Sequence, residues 1–241
     1  MKYSIIIPVL NEEKLLPNLL KQLHNIKNKW EDVEIILSDG GSNDRTIEFA
    51  MKYCDIIKIH DKTFKQNIAM GRNEGAKFAS GEILIFLNGD VVLRNEENFI
   101  YFIENNFINS DYLAMTCFVK VFPEDEILID KLYHAGYNSY FNLLNKIGIG
   151  MGRGECQIIK KDIFNKLNGY NENLAAGEDF DLYRRVRRIG NILYTNKLIV
   201  YESPRRYRKL GYSGVTWSGI KNGFSVLIKN RSISKEWEQV R

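Results

Sequence analysis

The stretch Ser80-Gly-Glu-Ile-Leu-Ile-Phe-Leu-Asn-Gly-Asp90 determines the prediction of the fold. Its apolar run, Ile83 to Leu87, stops at Asn88-Gly89-Asp90, as a buried parallel strand stops where it meets a polar loop. Segments with helical spacing separate this run from three earlier short apolar runs, which are Tyr3 to Val9, Val33 to Ser38 and Ile56 to His60. The sequence therefore predicts an α/β fold, in which a mostly parallel sheet has helices on both faces.

The second half of the chain is less regular. A long strand is predicted over residues 112–121, followed by a helix over residues 125–146 and a glycine-dense segment over residues 148–154. A short strand near residues 157–159 and a helix over residues 178–188 follow. This mixture of elements indicates that the sheet continues beyond the parallel strands of the first half.

The C-terminal segment differs from the rest of the chain in charge. No repeat or linker divides residues 1–204, so we predict one domain there and a basic segment with an amphipathic helix over residues 205–241. The segment has nine Lys and Arg residues against Glu236 and Glu238, whereas the preceding domain has 25 basic and 28 acidic residues. Apolar side chains share one face of the predicted helix, and they are Trp217, Ile220, Phe224 and Leu227.

Two interpretations of this apolar face remain open. An amphipathic helix flanked by Lys and Arg is typical of segments that lie on an anionic membrane. The same face would equally pack on the domain itself or on a second subunit, and the glycines Gly219 and Gly223 permit such close packing. The sequence leaves the oligomeric state undetermined.

Composition limits the class of protein. The 241 residues are 44% hydrophobic and 27% charged, which suffices for a substantial core. No apolar run approaches the ~20 residues of a membrane-spanning helix, and no signal peptide is expected before the first strand. The cysteines Cys54, Cys117 and Cys156 are far apart and odd in number, which argues against a disulfide scaffold or a zinc site. We expect a cytoplasmic protein, peripheral at the membrane if the C-terminal helix lies on it.

Several common motifs are absent from the sequence. It contains neither the phosphate-binding G-x-x-x-x-G-K-[ST] nor the G-x-S-x-G of a serine nucleophile. The glycines of residues 148–154 lack the dinucleotide-binding spacing, because Arg153 stands where the last glycine belongs. A basic run, Arg205 to Lys209, has no nucleic-acid recognition module beside it, so we predict no nucleic-acid partner.

Polar loops follow three of the predicted strands, over residues 8–13, 39–46 and 88–90. Ligands of open parallel sheets bind beyond the carboxyl ends of the strands, so these loops predict a site there. Asp90 suits Mg²⁺ or Mn²⁺, which binds one or two carboxylates together with substrate phosphates. Asp39 is placed to accept hydrogen bonds from a nucleobase or ribose. Taken singly, either residue also fits an ordinary turn.

These loops, with further segments, resemble the family 2 glycosyltransferases, which have the GT-A fold. The resemblance extends over residues 3–202 in the order and spacing of the family. The segments that carry it are Ser4-Ile-Ile-Ile-Pro-Val-Leu-Asn-Glu-Glu13, Asp39-Gly-Gly-Ser-Asn-Asp-Arg-Thr46, Gly71-Arg-Asn-Glu-Gly75, Ser80 to Asp90, Lys160-Lys-Asp-Ile-Phe-Asn-Lys-Leu-Asn-Gly-Tyr170 and Gly177-Glu-Asp179.

The resemblance implies a Rossmann-like GT-A sheet that binds a nucleoside-diphosphate sugar. Family members often close a basic segment over the donor phosphates, and guanidinium groups match phosphate oxygens in pairs. The residues implied in nucleotide binding are Pro8, Leu10, Asn11, Glu12, Asp39, Gly41, Arg72, Asn88, Arg205 and Arg206.

The resemblance also implies a divalent metal cofactor, Mn²⁺ or Mg²⁺. Asp90 matches the last position of the family's D-x-D motif, which binds the metal. The chain departs from the family at Asn88, where the first Asp is usual. An amide still bonds to ribose but is a poorer metal ligand than a carboxylate.

Asp179 matches the acidic motif whose Asp is implied to be the catalytic base, with Glu178 beside it. An acceptor-side carboxylate would remove the proton of the attacking hydroxyl. A structural alternative exists, because acidic residues at the start of a helix that ends in arginines complement the helix dipole without any catalysis.

The function implied is transfer of a sugar from a nucleoside diphosphate to an acceptor glycan or lipid phosphate, with inversion at the anomeric carbon. A sugar-nucleotide nucleotidyltransferase is a second hypothesis, although it would need a glycine-rich, basic loop after the first strand. A non-catalytic carbohydrate- or membrane-binding module is a third, and it would not need Asp90 and Asp179 together.

Overall fold

A computed structural model describes residues 2–229 and 231–234 of the chain. Its strands are β1 (Tyr3–Val9), β2 (Val33–Asp39), β3 (Ile56–Ile59), β4 (Ile83–Leu87), β5 (Val91–Leu93), β6 (Tyr112–Val121), β7 (Cys156–Lys160) and β8 (Asn191–Glu202). Its α-helices are α1 (Leu16–Lys29), α2 (Thr46–Ala50), α3 (Ile68–Lys77), α4 (Glu96–Ile103), α5 (Leu128–Lys146), α6 (Lys161–Lys166), α7 (Glu178–Arg187) and α8 (Arg205–Lys229).

The described strands form one sheet in the order β3-β2-β1-β4-β7-β6-β8-β5. The first four of these are mutually parallel, with Ile5 opposite both Ile35 and Ile85. Every residue of β1, β2 and β4 is buried, as expected for strands covered on both faces. The predicted parallel α/β arrangement is therefore confirmed.

Helices cover both faces of the sheet because side chains of a strand point alternately to opposite sides. Ile5 and Ile7 of β1 pack with the apolar face of α1 and with α4. Ile6, between them, packs on the other side with residues of α3, α6 and α7. The sheet is thus the middle of three layers, and the ends of its strands lie at the edges of those layers.

The second half of the sheet is mixed. Strand β7 lies antiparallel between β4 and β6, while β6 and β8 run parallel to each other. The predicted strand over residues 112–121 is confirmed, and the predicted helix over residues 125–146 begins three residues later than expected. Elements β5 and α4 have no counterpart in the sequence prediction.

The C-terminal segment begins as α8 directly after β8. Gly211 has φ 72° and breaks the helical backbone, so α8 consists of two helical pieces that meet at a kink. Tyr207, Asn222 and Val226 are buried against the rest of the chain. In the part of the chain that the structure describes, no helix is both long and apolar enough to cross a membrane. Residues 235–241 of the predicted basic segment lie outside the described residues.

Candidate active site

Two polar loops interlock at the carboxyl edge of the parallel strands. The amide of Asn11, a residue with φ 54°, donates to Ser42 Oγ at 2.8 Å, and the amide of Asn43 donates to Asn11 Oδ1 at 2.8 Å. A third hydrogen bond runs from the amide of Glu12 to Thr46 Oγ1 at 2.8 Å. These hydrogen bonds fix the shape of the loop after β1.

Asp39 closes the second of these loops. Its Oδ2 accepts the amides of Gly41 at 2.8 Å and Ser42 at 2.9 Å, and its Oδ1 accepts the Ser42 hydroxyl. Gly41 has φ +95°, and a Cβ there would lie 2.7 Å from Lys62 Cε. The structure thus gives Asp39 a role in shaping the loop, and its contact with a nucleotide stays a prediction, as do those of Pro8, Leu10 and Gly41.

Arg72 joins the loop after β4 to the start of α7. Its guanidinium is 1% exposed and donates to Glu178 Oε1 at 2.7 Å, Asn88 Oδ1 at 3.1 Å and the Gly154 carbonyl at 2.8 Å. It also lies over the ring of Tyr170, with 5.1 Å to the centroid. A planar group with several fixed donors suits this bridging position. Its predicted approach to the base or phosphates remains untested.

Asp90, Glu12 and Arg205 come together on the other side of Asn88. Arg205 Nη2 lies 2.8 Å from Glu12 Oε1 and 2.9 Å from Asp90 Oδ2. Asp90 is about a quarter exposed, whereas Glu12 is nearly buried. Arg206 follows Arg205 in α8 and is half-buried. The first residues of the C-terminal segment therefore reach the predicted metal position, 115 residues away along the chain.

The residues present fit a divalent cation that a substrate helps to hold. Asp90 supplies one carboxylate, and the side-chain oxygen of Asn88 already accepts from Arg72. Within residues 2–229 and 231–234, no group of three or more His, Cys, Asp or Glu side chains is arranged to hold a metal. Mg²⁺ is usually bound by one or two carboxylates together with substrate phosphates and water. Asp90 with a donor diphosphate meets that requirement.

Asp179 lies at the start of α7, after Gly177, whose φ of 82° turns the chain into the helix. Its Oδ1 accepts its neighbour's amide, that of Phe180, at 2.7 Å. Burial raises the pKa of Asp179 to about 7; the charge of Glu178 adds to the rise and that of Arg72 opposes it. A carboxylate that titrates near neutrality can accept a proton from a substrate, so this environment suits a general base.

Two features of the site were not predicted from the sequence. Gly154 lies against the start of α7, because a Cβ there would be 3.1 Å from Asp179 Oδ2. Beside it, buried Arg153 bonds to Glu155 at 3.0 Å and to Glu202 at 3.1 Å. Burial alone would raise the pKa of Glu155, but Arg153 lowers it to about 2, while burial and Glu155 raise the pKa of Glu202. The feature of the sequence that could have indicated this cluster is the high density of glycines around Arg153.

A family comparison identifies the class of protein. Residues 4–167, more than half of the chain, match the model described as glycosyl transferase family 2. The chain is a family 2 glycosyltransferase. The predicted resemblance is therefore confirmed, and it accounts for the order of the loops around Asn11, Asp39 and Asp90.

Two curated relatives illustrate the range of this glycosyltransferase's family. The 4,4'-diaponeurosporenoate glycosyltransferase of Staphylococcus haemolyticus is 29% identical over 199 residues, which are 77% of this chain and 51% of the relative. The GalNAc(5)-diNAcBac-PP-undecaprenol beta-1,3-glucosyltransferase of Campylobacter jejuni is 36% identical over 93 residues, which are 37% of this chain and 29% of the relative. The chain thus spans about half the length of the first relative and less of the second.

A solved structure confirms the GT-A fold of the glycosyltransferase. The mannosyltransferase PcManGT from Pyrobaculum calidifontis, in complex with GDP-Man and Mn²⁺, superposes with a TM-score of 0.76 at 16% identity. The match covers 95% of this chain and 64% of that one. At this identity the similarity establishes the fold alone.

Proposed function

We propose that this glycosyltransferase moves a sugar from a nucleoside-diphosphate sugar to the oxygen of an acceptor. The observation that carries the proposal is the bridge made by Arg72, which contacts Asn88 at 3.1 Å and Glu178 at 2.7 Å. Asn88 stands two residues before Asp90, and Glu178 stands directly before Asp179. The Arg72 guanidinium therefore links the loop that contains Asp90 to the helix that begins beside Asp179. The carboxylate of Asp90 suits a metal that binds the donor diphosphate, and the carboxylate of Asp179 suits the acceptor proton.

The donor occupies the loop side of this bridge in our proposal. The loops after β1 and β2, which contain Asn11 and Asp39, enclose the nucleoside, and the diphosphate lies near Asp90. Asp90 would hold a Mn²⁺ or Mg²⁺ there, which would supply positive charge to the departing diphosphate. Arg205, already within 2.9 Å of Asp90, provides a second cation with paired donors for phosphate oxygens.

The acceptor occupies the α7 side. As the acceptor oxygen forms its bond to the anomeric carbon, the bond from that carbon to the diphosphate oxygen breaks, and the acceptor proton moves to Asp179. A single displacement of this kind inverts the anomeric centre. The raised pKa of Asp179, about 7, supports this role because it matches the pH of the cell interior. Glu178 supports it by holding Arg72 in place.

The acceptor is a glycan or a lipid phosphate in our proposal. The Campylobacter jejuni relative is named for a substrate that contains PP-undecaprenol, which favours a lipid-linked acceptor. If the attacking group is itself a phosphate, it is mostly ionised near pH 7, since its second pKa is ~6. Asp179 would then contribute less to the rate.

The test is a panel of nucleoside-diphosphate sugars with and without Mn²⁺, in which release of the nucleoside diphosphate is measured. We expect one donor to be consumed, and consumption to depend on the metal. A nucleotidyltransferase would instead use a nucleoside triphosphate and a sugar phosphate and release pyrophosphate. A binding module would bind nucleotide or glycan and turn over neither set of substrates, which would contradict the proposal.

A further inference from the structure

Helices α5 and α8 expose apolar side chains along one face each. On α5 the side chains of Leu128 and Leu132 are 73% and 66% exposed, and on α8 those of Phe224 and Ile228 are 64% and 66% exposed. Large contiguous apolar patches are uncommon on monomeric soluble proteins and mark sites of contact with a protein or a membrane. We call this face the α5–α8 surface, and its residues are Leu128, Leu132, Leu143, Ile147, Trp217, Ile220, Phe224 and Ile228.

The two helices contact each other through the side chains of Tyr133 and Tyr137. The hydroxyls of Tyr133 and Thr216 are 3.0 Å apart, and the rings of Tyr133 and Tyr212 have centroids 5.0 Å apart. Further along, a Cβ on Gly219 would lie 3.5 Å from the hydroxyl of Tyr137. Contacts therefore continue along both helices for more than one turn, and α5 and α8 form one two-helix layer.

The inner faces of this layer pack on the body of the protein. Asn138 of α5 bonds to the backbone of Val119 in β6, and Val226 of α8 packs with Leu174 and Phe180. In each helix the exposed apolar residues lie on the side away from the buried residues of that helix, which include Asn138 and Val226. The two apolar faces thus point outward together, away from the sheet.

On its α8 side the charge around the α5–α8 surface is positive, whereas residues 124–126 place acidic side chains beside Leu128. Residues 205–229 contain six Lys and Arg residues and no Asp or Glu. The single acidic residue of α5, Asp130, is buried and bonded to Arg208 at 2.5 Å. Lys146, Lys221 and Lys229 are exposed, and Lys221 lies 5.0 Å from the ring of Trp217. The nearest run of acidic residues, 124–126, precedes α5 at its N-terminal end only.

We propose that the α5–α8 surface docks on an anionic lipid bilayer. Apolar and aromatic side chains between flanking cations are typical of helices that lie in the plane of a membrane interface, and anionic lipid attracts each such cation. A second copy of the chain fits less well, because a two-fold contact would bring the positively charged α8 side of the surface close to its own copy. The contribution of α5 was not visible in the sequence, where its exposed leucines look like core residues.

The position of this surface relates it to the site. Val226, on the inner side of α8, packs against Phe180, the residue after Asp179. The bilayer would therefore lie on the outer side of α8, and the inner side of α8 borders the acceptor side of the site. If the proposed function holds, on which this step rests, docking brings that side of the site close to a lipid-borne acceptor.

Sedimentation with vesicles tests the proposal. The full chain is mixed with vesicles of phosphatidylcholine and phosphatidylglycerol, or of phosphatidylcholine alone, at low and high salt. We expect binding to the anionic vesicles that salt weakens. Leu132→Glu and Phe224→Glu should each reduce binding at least ~tenfold, because burial of one large apolar side chain is lost. Met51→Glu is the matched control, since Met51 is 69% exposed next to α2, and it should bind like the wild type.

The outcomes separate the possibilities. No binding of the wild type to anionic vesicles overturns the proposal, as does equal binding to both lipid mixtures. A loss in Phe224→Glu without a loss in Leu132→Glu removes α5 from the contact and overturns the joint surface. Gel filtration that shows a dimer, dissociated by both variants, assigns the surface to a second copy. Binding is measured without any sugar donor, so failure of the proposed function leaves this result unaffected.

Discussion

The guanidinium of Arg205 covers the carboxylate of Asp90, with 2.9 Å between Nη2 and Oδ2. The same nitrogen lies 2.8 Å from Glu12 Oε1, so the first turn of α8 is pinned to two acidic residues of the donor side. The Arg205 guanidinium thus occupies the position beside Asp90 that we propose for a divalent metal bound with the substrate. In the proposed function, metal and donor would compete with this ion pair, and their binding would free Arg205 to contact the diphosphate.

The first prediction concerns Asp90. Asp90→Ala should lower metal-dependent donor turnover at least ~100-fold, because the cation supplies several kcal/mol of charge stabilisation. The fold should survive, since the side chain is partly exposed at the end of a loop. Turnover as a function of Mn²⁺ concentration, with thermal unfolding alongside, measures both effects. Asp111→Ala, at the exposed start of β6, is the control. Full activity with unchanged metal dependence in Asp90→Ala would sink the assignment.

The second prediction concerns the competition at Asp90. Arg205→Ala should bind Mn²⁺ severalfold more tightly without donor, because a guanidinium 2.9 Å from the carboxylate no longer opposes the metal. The same variant should have a KM for the donor raised about tenfold, since a charged hydrogen bond to phosphate is lost. Titration calorimetry of Mn²⁺ and steady-state kinetics measure the two effects. Weaker Mn²⁺ binding in the variant would show that Arg205 supports the metal site instead of blocking it.

Local patterns in the sequence predicted the strand ends at which the candidate site lies. The end of β4 at Leu87 was predictable, because an apolar run followed by Asn88 and Gly89 indicates a strand that stops at a polar loop. The segment Glu96–Ile103 was not, because its five consecutive apolar residues fit a buried strand as well as the helix that forms. The hydrogen-bond partners of Arg72 could not be predicted from the sequence either. Glu178 lies 106 residues away, and only the folded sheet brings the two together.

The third prediction is the pH profile of Asp179. Its pKa is raised to about 7, and a general base must be deprotonated to act, so turnover should fall as the pH drops below about 7. Asp179→Asn should reduce turnover by ~10²–10⁴ and abolish that pH dependence, while donor affinity is retained. Initial rates from acid to mildly alkaline pH provide the test. A variant that loses donor affinity but keeps the turnover of bound donor would indicate a structural helix-end residue.

The raised pKa of Asp179 also affects the stability of the fold. This effect tests the direction of the pKa shift without a measurement of activity. Between the ordinary pKa of an Asp and about 7, the folded chain keeps the proton on Asp179 and the unfolded chain releases it. The free energy of unfolding therefore decreases as the pH rises through this window. Asp179→Asn lacks that loss, so it should unfold at a higher temperature than the wild type at pH 8, and the gap should narrow toward pH 4.

The fourth prediction concerns the buried pair of Arg72 and Glu178. Arg72→Met leaves the Glu178 carboxylate without its 2.7 Å partner and should cost about 3–5 kcal/mol of stability, the usual effect of an unpaired buried charge. The double variant with Glu178→Gln should recover part of that loss. Chemical denaturation of the four proteins gives the coupling energy. Additive losses would mean that the pair does not interact as the structure places it.

The last prediction distinguishes displacement of the Asp179 carboxylate from the general effect of replacing a glycine by alanine. A Cβ at Gly154 would stand 3.1 Å from Asp179 Oδ2 and 3.5 Å from Arg72 Nη2, so Gly154→Ala should displace the carboxylate. Misplacement of a catalytic group by a fraction of an ångström should lower turnover by ~10–100-fold with little change in stability. Gly136→Ala is the matched control, because no atom lies within 4 Å of its Cβ and it is inside α5. That control should leave turnover unchanged and raise stability by about 1 kcal/mol, the difference in helix propensity between the two residues. If Gly154→Ala turns over donor as fast as Gly136→Ala, Asp179 does not act as a base from the position that it holds beside Gly154.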